Sequence, residues 1–123
     1  MKPQNIKNKL EIRLNISVKD LSTCDGILGG VVCGMDNKGN LVRWLDKSYS
    51  SLEFTLKYPL RVHKIVKIKN PKCVADILFP IAKAYREIYW QADKYKVWGH
   101  SFEQLYFEKI TIDNGKAQIA IGS

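Results

Sequence analysis

The residues of this sequence best suited to catalysis or metal binding are two histidines and three cysteines: His63, His100, Cys24, Cys33 and Cys73. Zinc sites commonly show paired ligands at short spacing, such as CxxC, and these residues form no such pairs. Two histidines could also act as acid and base in a small ribonuclease or phosphodiesterase, with Arg61 or Lys64 stabilising a phosphate. Nothing in the sequence places His63 near His100. We therefore expect no metal, no cofactor and no catalytic residue, and keep the nuclease as the third of three functional hypotheses.

Positive charge is concentrated in one short segment of a basic chain, whose formal net charge is +8. Between Lys57 and Lys72 the sequence contains lysines and an arginine but no acidic residue. At the strand period of two, four residues of this segment would project from one face as a basic row: Arg61, His63, Lys67 and Lys69. Such a row could bind the phosphate backbone of a nucleic acid. The alternative is a solvated, lysine-rich strand that discourages edge-to-edge aggregation.

Aromatic residues are concentrated at residues 85–107, a window that holds most of the Phe, Trp and Tyr residues of the chain. One loop in this window contains Trp98, Gly99 and His100, and loops commonly carry function. A partner protein could contact four side chains of the region: Trp98, His100, Trp90 and Tyr95. The alternative is that Trp98 closes the open end of the core while His100 satisfies backbone groups there. We expect a partly exposed indole beside His100, because Gly99 gives the turn a freedom that a core residue would not need.

One amphipathic helix must position that loop. Asn70 is suited to cap the helix and Pro71 to occupy its first position. Its apolar residues recur at helical spacing: Val74, Ile77, Leu78, Ile81, Tyr85, Ile88, Tyr89 and Ala92. Pro80 interrupts the regular pattern, because a proline cannot donate to the carbonyl of Asp76 and crowds that turn, at a cost of about 3 kcal/mol. The sequence predicts a long helix over about 71–93 that is kinked at Pro80 or divided there into two.

Asn114 and Gly115 predict a type I′ turn between two strands, because both residue types accept the positive φ values of that turn. A two-residue loop aligns the strands in one register: Asp113 with Lys116, Ile112 with Ala117, and Ile110 with Ile119. Together with Ile121, these isoleucines share one face, so the turn and the hydrophobic pattern demand the same register. Glu108 would fall on that face, and we expect either a bulge at this residue or a solvated end of the sheet.

The rest of the chain predicts strands by its alternation of apolar and polar residues. These strands lie within residues 10–18, 27–35, 41–45, 52–58 and 60–69. With the helix and the hairpin, the order is roughly β-β-β-β-β-α-β-β. This order predicts an α+β fold, with a mostly antiparallel sheet of six or seven short strands and the helix packed on one face.

Length and composition indicate a single domain over residues 1–123, since no linker or internal repeat divides the chain. No apolar run reaches the roughly 18 residues of a membrane span, and the N-terminus lacks the apolar region of a signal peptide. An odd number of cysteines without CxxC spacing favours a reduced, cytoplasmic protein. The sequence therefore favours a small cytoplasmic binding module with an unknown protein as its partner and no membrane contact. A nucleic acid bound by the basic row is the alternative, and a homo-oligomer stays open.

Overall fold

The computed structural model describes residues 9–23 and 32–123. Within these ranges the fold is α+β, as predicted, with seven strands and three α-helices. The strands are β1 (Lys9–Ser17), β2 (Gly34–Met35), β3 (Leu41–Val42), β4 (Ser51–Leu56), β5 (Lys64–Lys69), β6 (Tyr106–Asp113) and β7 (Lys116–Gly122). The helices are α1 (Val18–Ser22), α2 (Val74–Trp90) and α3 (Ala92–Tyr95), and a 3₁₀ turn covers Phe102–Gln104. Cys24 and most of the predicted strand over 27–35 lie outside the described residues.

The described strands form two antiparallel sheets. The larger sheet has five strands in the order β3-β2-β1-β6-β7, and the smaller sheet pairs β4 with β5. The predicted antiparallel architecture is confirmed, and the pairing adds that the strands divide between two sheets. As a result β7 is an edge strand of the larger sheet and β4 is an edge strand of the smaller one.

α2 contributes its apolar stripe to the core shared with both sheets. Its largest buried side chains are those of Ile77, Leu78, Ile81, Tyr85 and Ile88. They pack in one cluster with buried residues of the strands, among them Ile12, Phe54 and Phe107. The helix is a single element through Pro80 and not two helices, and it ends at Trp90. The long helix predicted from the 3.6-residue period is therefore present.

The start of α2 differs from the prediction: the helix begins at Val74 and not at Pro71. The residues before it run extended beside the chain that follows β3. The Leu45 amide donates to the Lys72 carbonyl at 2.9 Å, and the Val74 amide donates to the Arg43 carbonyl at 2.8 Å. The carboxylate of Asp76 accepts from the Lys72 amide at 2.8 Å and from the amide of Cys73, the N-cap residue, at 3.4 Å. Tertiary backbone pairing therefore overrides the local cap signal of the Asn–Pro dipeptide.

The hairpin of β6 and β7 has the predicted turn and the predicted register. Asn114 and Gly115 have φ values of 53° and 83°, as a type I′ turn requires. The observed pairs include Ile112 with Ala117 and Ile110 with Ile119. The register shifts between Phe107 and Lys109, which confirms a bulge at Glu108 and aligns Phe107 with Ile121. The bulge keeps a carboxylate out of the core and puts the Phe107 ring there in its place.

The strand predicted over 60–69 is shorter than expected. β5 begins at Lys64, and the preceding residues form a turn that follows a cis peptide bond between Tyr58 and Pro59. Within β5 the buried residue is Ile68, while Ile65, Lys67 and Lys69 are exposed. At the start of β5 the lysine is half-buried and the isoleucine is exposed, so the regular order of inward apolar and outward basic residues begins at Val66.

Candidate partner-binding site

Two loops that are distant in the sequence lie side by side. One precedes β5 and the other follows α3. The amides of Arg61 and Val62 each donate to the Tyr95 carbonyl at 3.1 Å, and the Trp98 amide donates to the Pro59 carbonyl at 3.1 Å. This contact brings the first part of the predicted basic row next to the predicted partner contacts. We call the exposed face of the two loops the loop surface; its side chains are those of Arg61, Val62, His63, Lys96 and Trp98.

Trp98 is held in place by two neighbouring rings. The Tyr58 ring meets the indole edge-on with centroids 5.8 Å apart, and the His100 ring lies 5.6 Å from it. Packing against two rings restricts the indole, yet 43% of the residue remains exposed. Trp98 therefore does not close the core, and it lies beside His100 as expected from the sequence. Its role as a partner contact stays a prediction.

His100 is positioned by hydroxyl groups on both sides of its ring. The Tyr58 hydroxyl lies 2.8 Å from Nε2, and the Ser123 hydroxyl lies 3.0 Å from Nδ1 and 2.7 Å from the Tyr58 hydroxyl. Which nitrogen donates depends on the tautomer. Among the described residues, the hydrogen-bond partners of this ring are hydroxyl groups and not carboxylates. The network fixes the orientation of the ring.

Two phenols of α2, the buried Tyr85 and the half-buried Tyr89, anchor the same region. The Tyr85 hydroxyl donates to the Tyr58 carbonyl at 2.7 Å, and the Tyr89 hydroxyl donates to the His100 carbonyl at 3.0 Å. Burial raises the pKa of Tyr85. Burial, with smaller contributions from Tyr58 and Glu103, raises the pKa of Tyr89 to about 12. Both phenols therefore stay protonated near neutral pH and act as donors that tie α2 to the residues holding Trp98.

Tyr95 and Trp90, the other two predicted partner contacts, occupy different environments. Tyr95 is only 9% exposed, and the ammonium groups of Lys64 and Lys94 lie 5.9 Å and 5.5 Å from its ring centre. This burial leaves little of the ring for a partner, so we assign Tyr95 to the support of the two loops. Trp90 is 74% exposed at the end of α2, with the Arg86 guanidinium 5.4 Å from its ring centre.

The predicted basic row does not form on one strand face, because β5 starts after two of its members. Arg61 and His63 lie in the turn and belong to the loop surface. Lys67 and Lys69 lie on the exposed face of β5, where Lys67 is aligned with Glu53 of β4. All four side chains are exposed. The positive charge is therefore divided between the loop surface and the outer face of the smaller sheet.

The features expected of a catalytic or metal centre are not found in the described part of the chain. Residues 9–23 and 32–123 contain no group of three or more His, Cys, Asp or Glu side chains that could hold a metal ion. Within the same ranges, His63 and His100 share neither a hydrogen bond nor a ring contact. None of the helices described there combines the length and apolar character that crossing a membrane requires.

Comparisons with known proteins add no assignment to this geometry. No family model matches the sequence, and no significant match is found among curated proteins or among solved structures. The function is therefore inferred from the residues of this chain.

Tyr58 and Ser123 are the site residues that the sequence did not single out. The Tyr58 side chain contacts both the Trp98 and the His100 rings and is hydrogen-bonded to Ser123. A usable signal was present, since a proline follows Tyr58 and a residue before proline tends to end a regular element. That signal marks the end of a strand but does not show which distant loop the chain will meet there.

Proposed function

We propose that this protein is a non-catalytic binding module that recognises a partner protein through the loop surface. The observation that carries the proposal is the Trp98 indole, which is held between two rings and is nevertheless 43% exposed. Aromatic side chains that are rigid before binding lose little conformational freedom in a complex, and tryptophan is strongly enriched among residues that dominate interface energies. Val62, which is also exposed, adds apolar area to the same surface.

The charges around Trp98 favour an acidic partner. Arg61 and Lys96 belong to the loop surface, and Lys64 and Lys94 flank the Tyr95 ring beneath it. Asp93 is an acidic residue of α3 that partly offsets these cations. A positive rim around an apolar centre attracts a negatively charged surface and speeds encounter more than it strengthens the final complex. The partner we propose therefore presents an apolar contact flanked by carboxylates.

Nucleic-acid binding is the second candidate, and the same surface favours it. An exposed ring next to cations can stack on a base while the cations contact phosphates. Lys67 and Lys69 on the outer face of β5 would extend the contact along a backbone. A protein partner is the stronger proposal because Glu53 is aligned with Lys67, which weakens a continuous phosphate track across that face.

We also propose that the module acts in the cytoplasm. Cys33 and Cys73 are free thiols, and Cys73 is partly buried where the α2 helix begins. Free cysteines are typical of proteins kept in a reducing compartment.

Trp98→Ala is expected to weaken partner binding at least about tenfold while lowering the free energy of unfolding by only about 1 kcal/mol. The reason is that an exposed anchor contributes mainly when its surface is covered by a partner. The measurement is chemical cross-linking and affinity capture with the immobilised protein, followed by the affinity of the captured partner for wild type and variant, beside a urea unfolding curve.

Trp44→Ala is the matched control, because Trp44 is 65% exposed and pairs with Cys73, away from the loop surface. This variant should retain partner binding. Equal affinity of the Trp98→Ala and Trp44→Ala proteins would remove the loop surface from the proposal. A loss of about 3–5 kcal/mol in the unfolding free energy of Trp98→Ala would instead show a core residue.

Two pairs of charge changes separate the two partner classes. Arg61→Gln with Lys96→Gln neutralises the loop surface, and Lys67→Gln with Lys69→Gln neutralises the outer face of β5. For an acidic protein partner we expect only the loop pair to weaken binding. Binding to generic single-stranded RNA at low salt, measured by fluorescence polarisation, should be weak and nearly equal for both pairs. RNA binding that falls steeply with salt and is reduced by both pairs would favour the nucleic-acid candidate.

A further inference from the structure

The edges of the two sheets face each other across an open cleft. Among residues 9–23 and 32–123, β4 and β7 are each hydrogen-bonded to one neighbouring strand, and their Cα atoms approach within 8 Å without forming a ladder. The cleft has a volume of about 760 Å³ and is lined by residues of both strands and by Tyr85 of α2. Each strand can therefore still form a second ladder on the side that faces the cleft.

On β7 the register of the hairpin identifies the backbone groups that point into the cleft. The residues that flank a two-residue turn, Asp113 and Lys116, form a hydrogen-bonded pair, and the next such pair lies two residues on at Gln118. The intervening residues, Ala117 and Ile119, direct their amide and carbonyl groups away from β6. Both residues line the cleft.

On β4 a hydrogen bond at the end of the sheet shows which residues form hydrogen-bonded pairs with β5. The Asn70 amide donates to the Ser50 carbonyl at 2.9 Å, so Ser50 and Asn70 are a hydrogen-bonded pair. Because such pairs alternate along an antiparallel ladder, the backbone groups of Glu53 and Thr55 point away from β5. Both residues also line the cleft. Two rows of peptide groups that have no backbone partner in the described part of the chain therefore face each other.

The two strands run in the same direction. Tyr58 and Ser123 lie just beyond the carboxyl ends of β4 and β7, and their hydroxyl groups are 2.7 Å apart. If the strands were antiparallel, these ends would be separated by the length of a strand, about 20 Å. A segment between them would thus have the same orientation relative to both neighbours.

We propose that an extended segment of a partner protein inserts between β4 and β7 and joins the two sheets. Backbone N–H and C=O groups are stabilised by hydrogen bonds, and a strand placed in the cleft would supply hydrogen-bond partners to both rows. Two strand spacings are about 9.6 Å. Since Cα atoms of the two edges now lie within 8 Å of each other, the edges must move apart to admit a strand. The proposal rests on the proposed function in assuming a protein partner, but it uses a surface other than Trp98.

The lining of the cleft determines the composition of the inserted segment. Side chains that point inward would meet the half-buried Ile119 and Ile121, so they should be apolar. Side chains that point outward would meet Lys57 and Lys116 of the lining, so acidic residues fit there. Glu53 also lines the cleft, but it is aligned with a lysine of β5. The segment is therefore one that alternates apolar and acidic residues.

The test uses a synthetic eight-residue peptide that alternates valine with glutamate and threonine, capped at both ends. Its matched control carries N-methyl groups on alternate residues, which removes amide donors and keeps the side chains. We expect the free amides of Ala117, Ile119, Glu53 and Thr55 to exchange rapidly and to become protected when the unmodified peptide binds. Binding by polarisation should be at least about tenfold tighter than for the N-methylated peptide. Equal binding of the two peptides, or no binding at about 1 mM, would overturn the proposal.

Proline variants test the same geometry from the protein side. Ala117→Pro and Thr55→Pro each remove an amide that faces the cleft, so both proteins should fold and bind the peptide at least about tenfold more weakly. Gln118→Pro removes an amide bonded to β6 and should lower the melting temperature instead. Peptide binding that survives in both cleft-facing variants would contradict insertion. Trp98→Ala should leave peptide binding unchanged, so failure of this proposal and failure of the loop surface give different results.

Discussion

Tyr85→Ala is expected to lower the free energy of unfolding by about 3–5 kcal/mol, the usual loss for a large buried ring. Tyr85 has the largest of the fully buried side chains. Its ring fills space between α2 and the strands, and its hydroxyl reaches the Tyr58 carbonyl at 2.7 Å. The measurement is urea unfolding followed by tryptophan fluorescence and circular dichroism. A loss below about 1 kcal/mol would show that α2 does not pack as described.

Tyr85→Phe separates the hydroxyl from the ring. We expect a smaller loss of about 1–3 kcal/mol, because the Tyr58 carbonyl would be left without this partner in a partly buried position. Tyr49→Phe is the matched control, since the Tyr49 hydroxyl donates to the exposed carboxylate of Asp46 at 2.9 Å. Water can replace that bond, so this variant should lose well under about 1 kcal/mol. Equal losses in the two phenylalanine variants would contradict the anchoring role of Tyr85.

The elements that could be predicted from the sequence are those defined by residues close together in the chain. The Asn114–Gly115 turn requires positive φ at two adjacent residues, and this local chemistry fixed both the hairpin and its register. The same register placed Glu108 on the buried face and left two outcomes open, a bulge or a solvated end of the sheet, and the structure has the bulge. α2 was recognisable from its period, but its start was not, since the residues before it pair with a distant segment.

The candidate site was only partly predictable for the same physical reason. The exposure of Trp98 could be inferred from a glycine in its own loop, and the structure agrees. The contact between that loop and the turn before β5 depends on hydrogen bonds between residues far apart in sequence, such as Arg61 and Tyr95. The alternation of apolar and basic residues extended the predicted strand into this turn. Only the pairing with β4 shows that the strand starts at Lys64.

The loop surface and the cleft meet at one residue. The Tyr58 ring contacts the rings of Trp98 and His100, and the residue also lines the cleft between β4 and β7. Its carbonyl accepts a hydrogen bond from the Tyr85 hydroxyl. A partner segment that leaves the cleft at the carboxyl ends of the strands would therefore continue toward Trp98. The two proposed contacts can thus belong to one partner, with an extended segment in the cleft and an acidic surface on the loops.

Gly115→Val is expected to destabilise the protein by about 1–3 kcal/mol, because a β-branched residue resists the φ of 83° at this position. The strain is conformational and not steric, since a Cβ atom at Gly115 would meet no other heavy atom within 4 Å. Relief of the strain would require a different turn, and a change of one residue in register would move Ile110 and Ile112 off the buried face. The loss should appear as a lower midpoint in thermal unfolding.

Gly39→Val is the matched control, because Gly39 has the same φ of 83° and equally open surroundings. Its turn joins β2 and β3, two strands of only two residues at the sheet edge, which can rearrange without displacing the core. We therefore expect Gly39→Val to cost less than Gly115→Val, and Gly115→Asn to cost least, since asparagine tolerates positive φ. Equal losses of unfolding free energy for the two valine variants would show that the cost of Gly115→Val does not come from the β6–β7 register. If Gly115→Val costs more, the turn maintains the β6–β7 register. That register also directs the Ala117 and Ile119 peptide groups into the cleft.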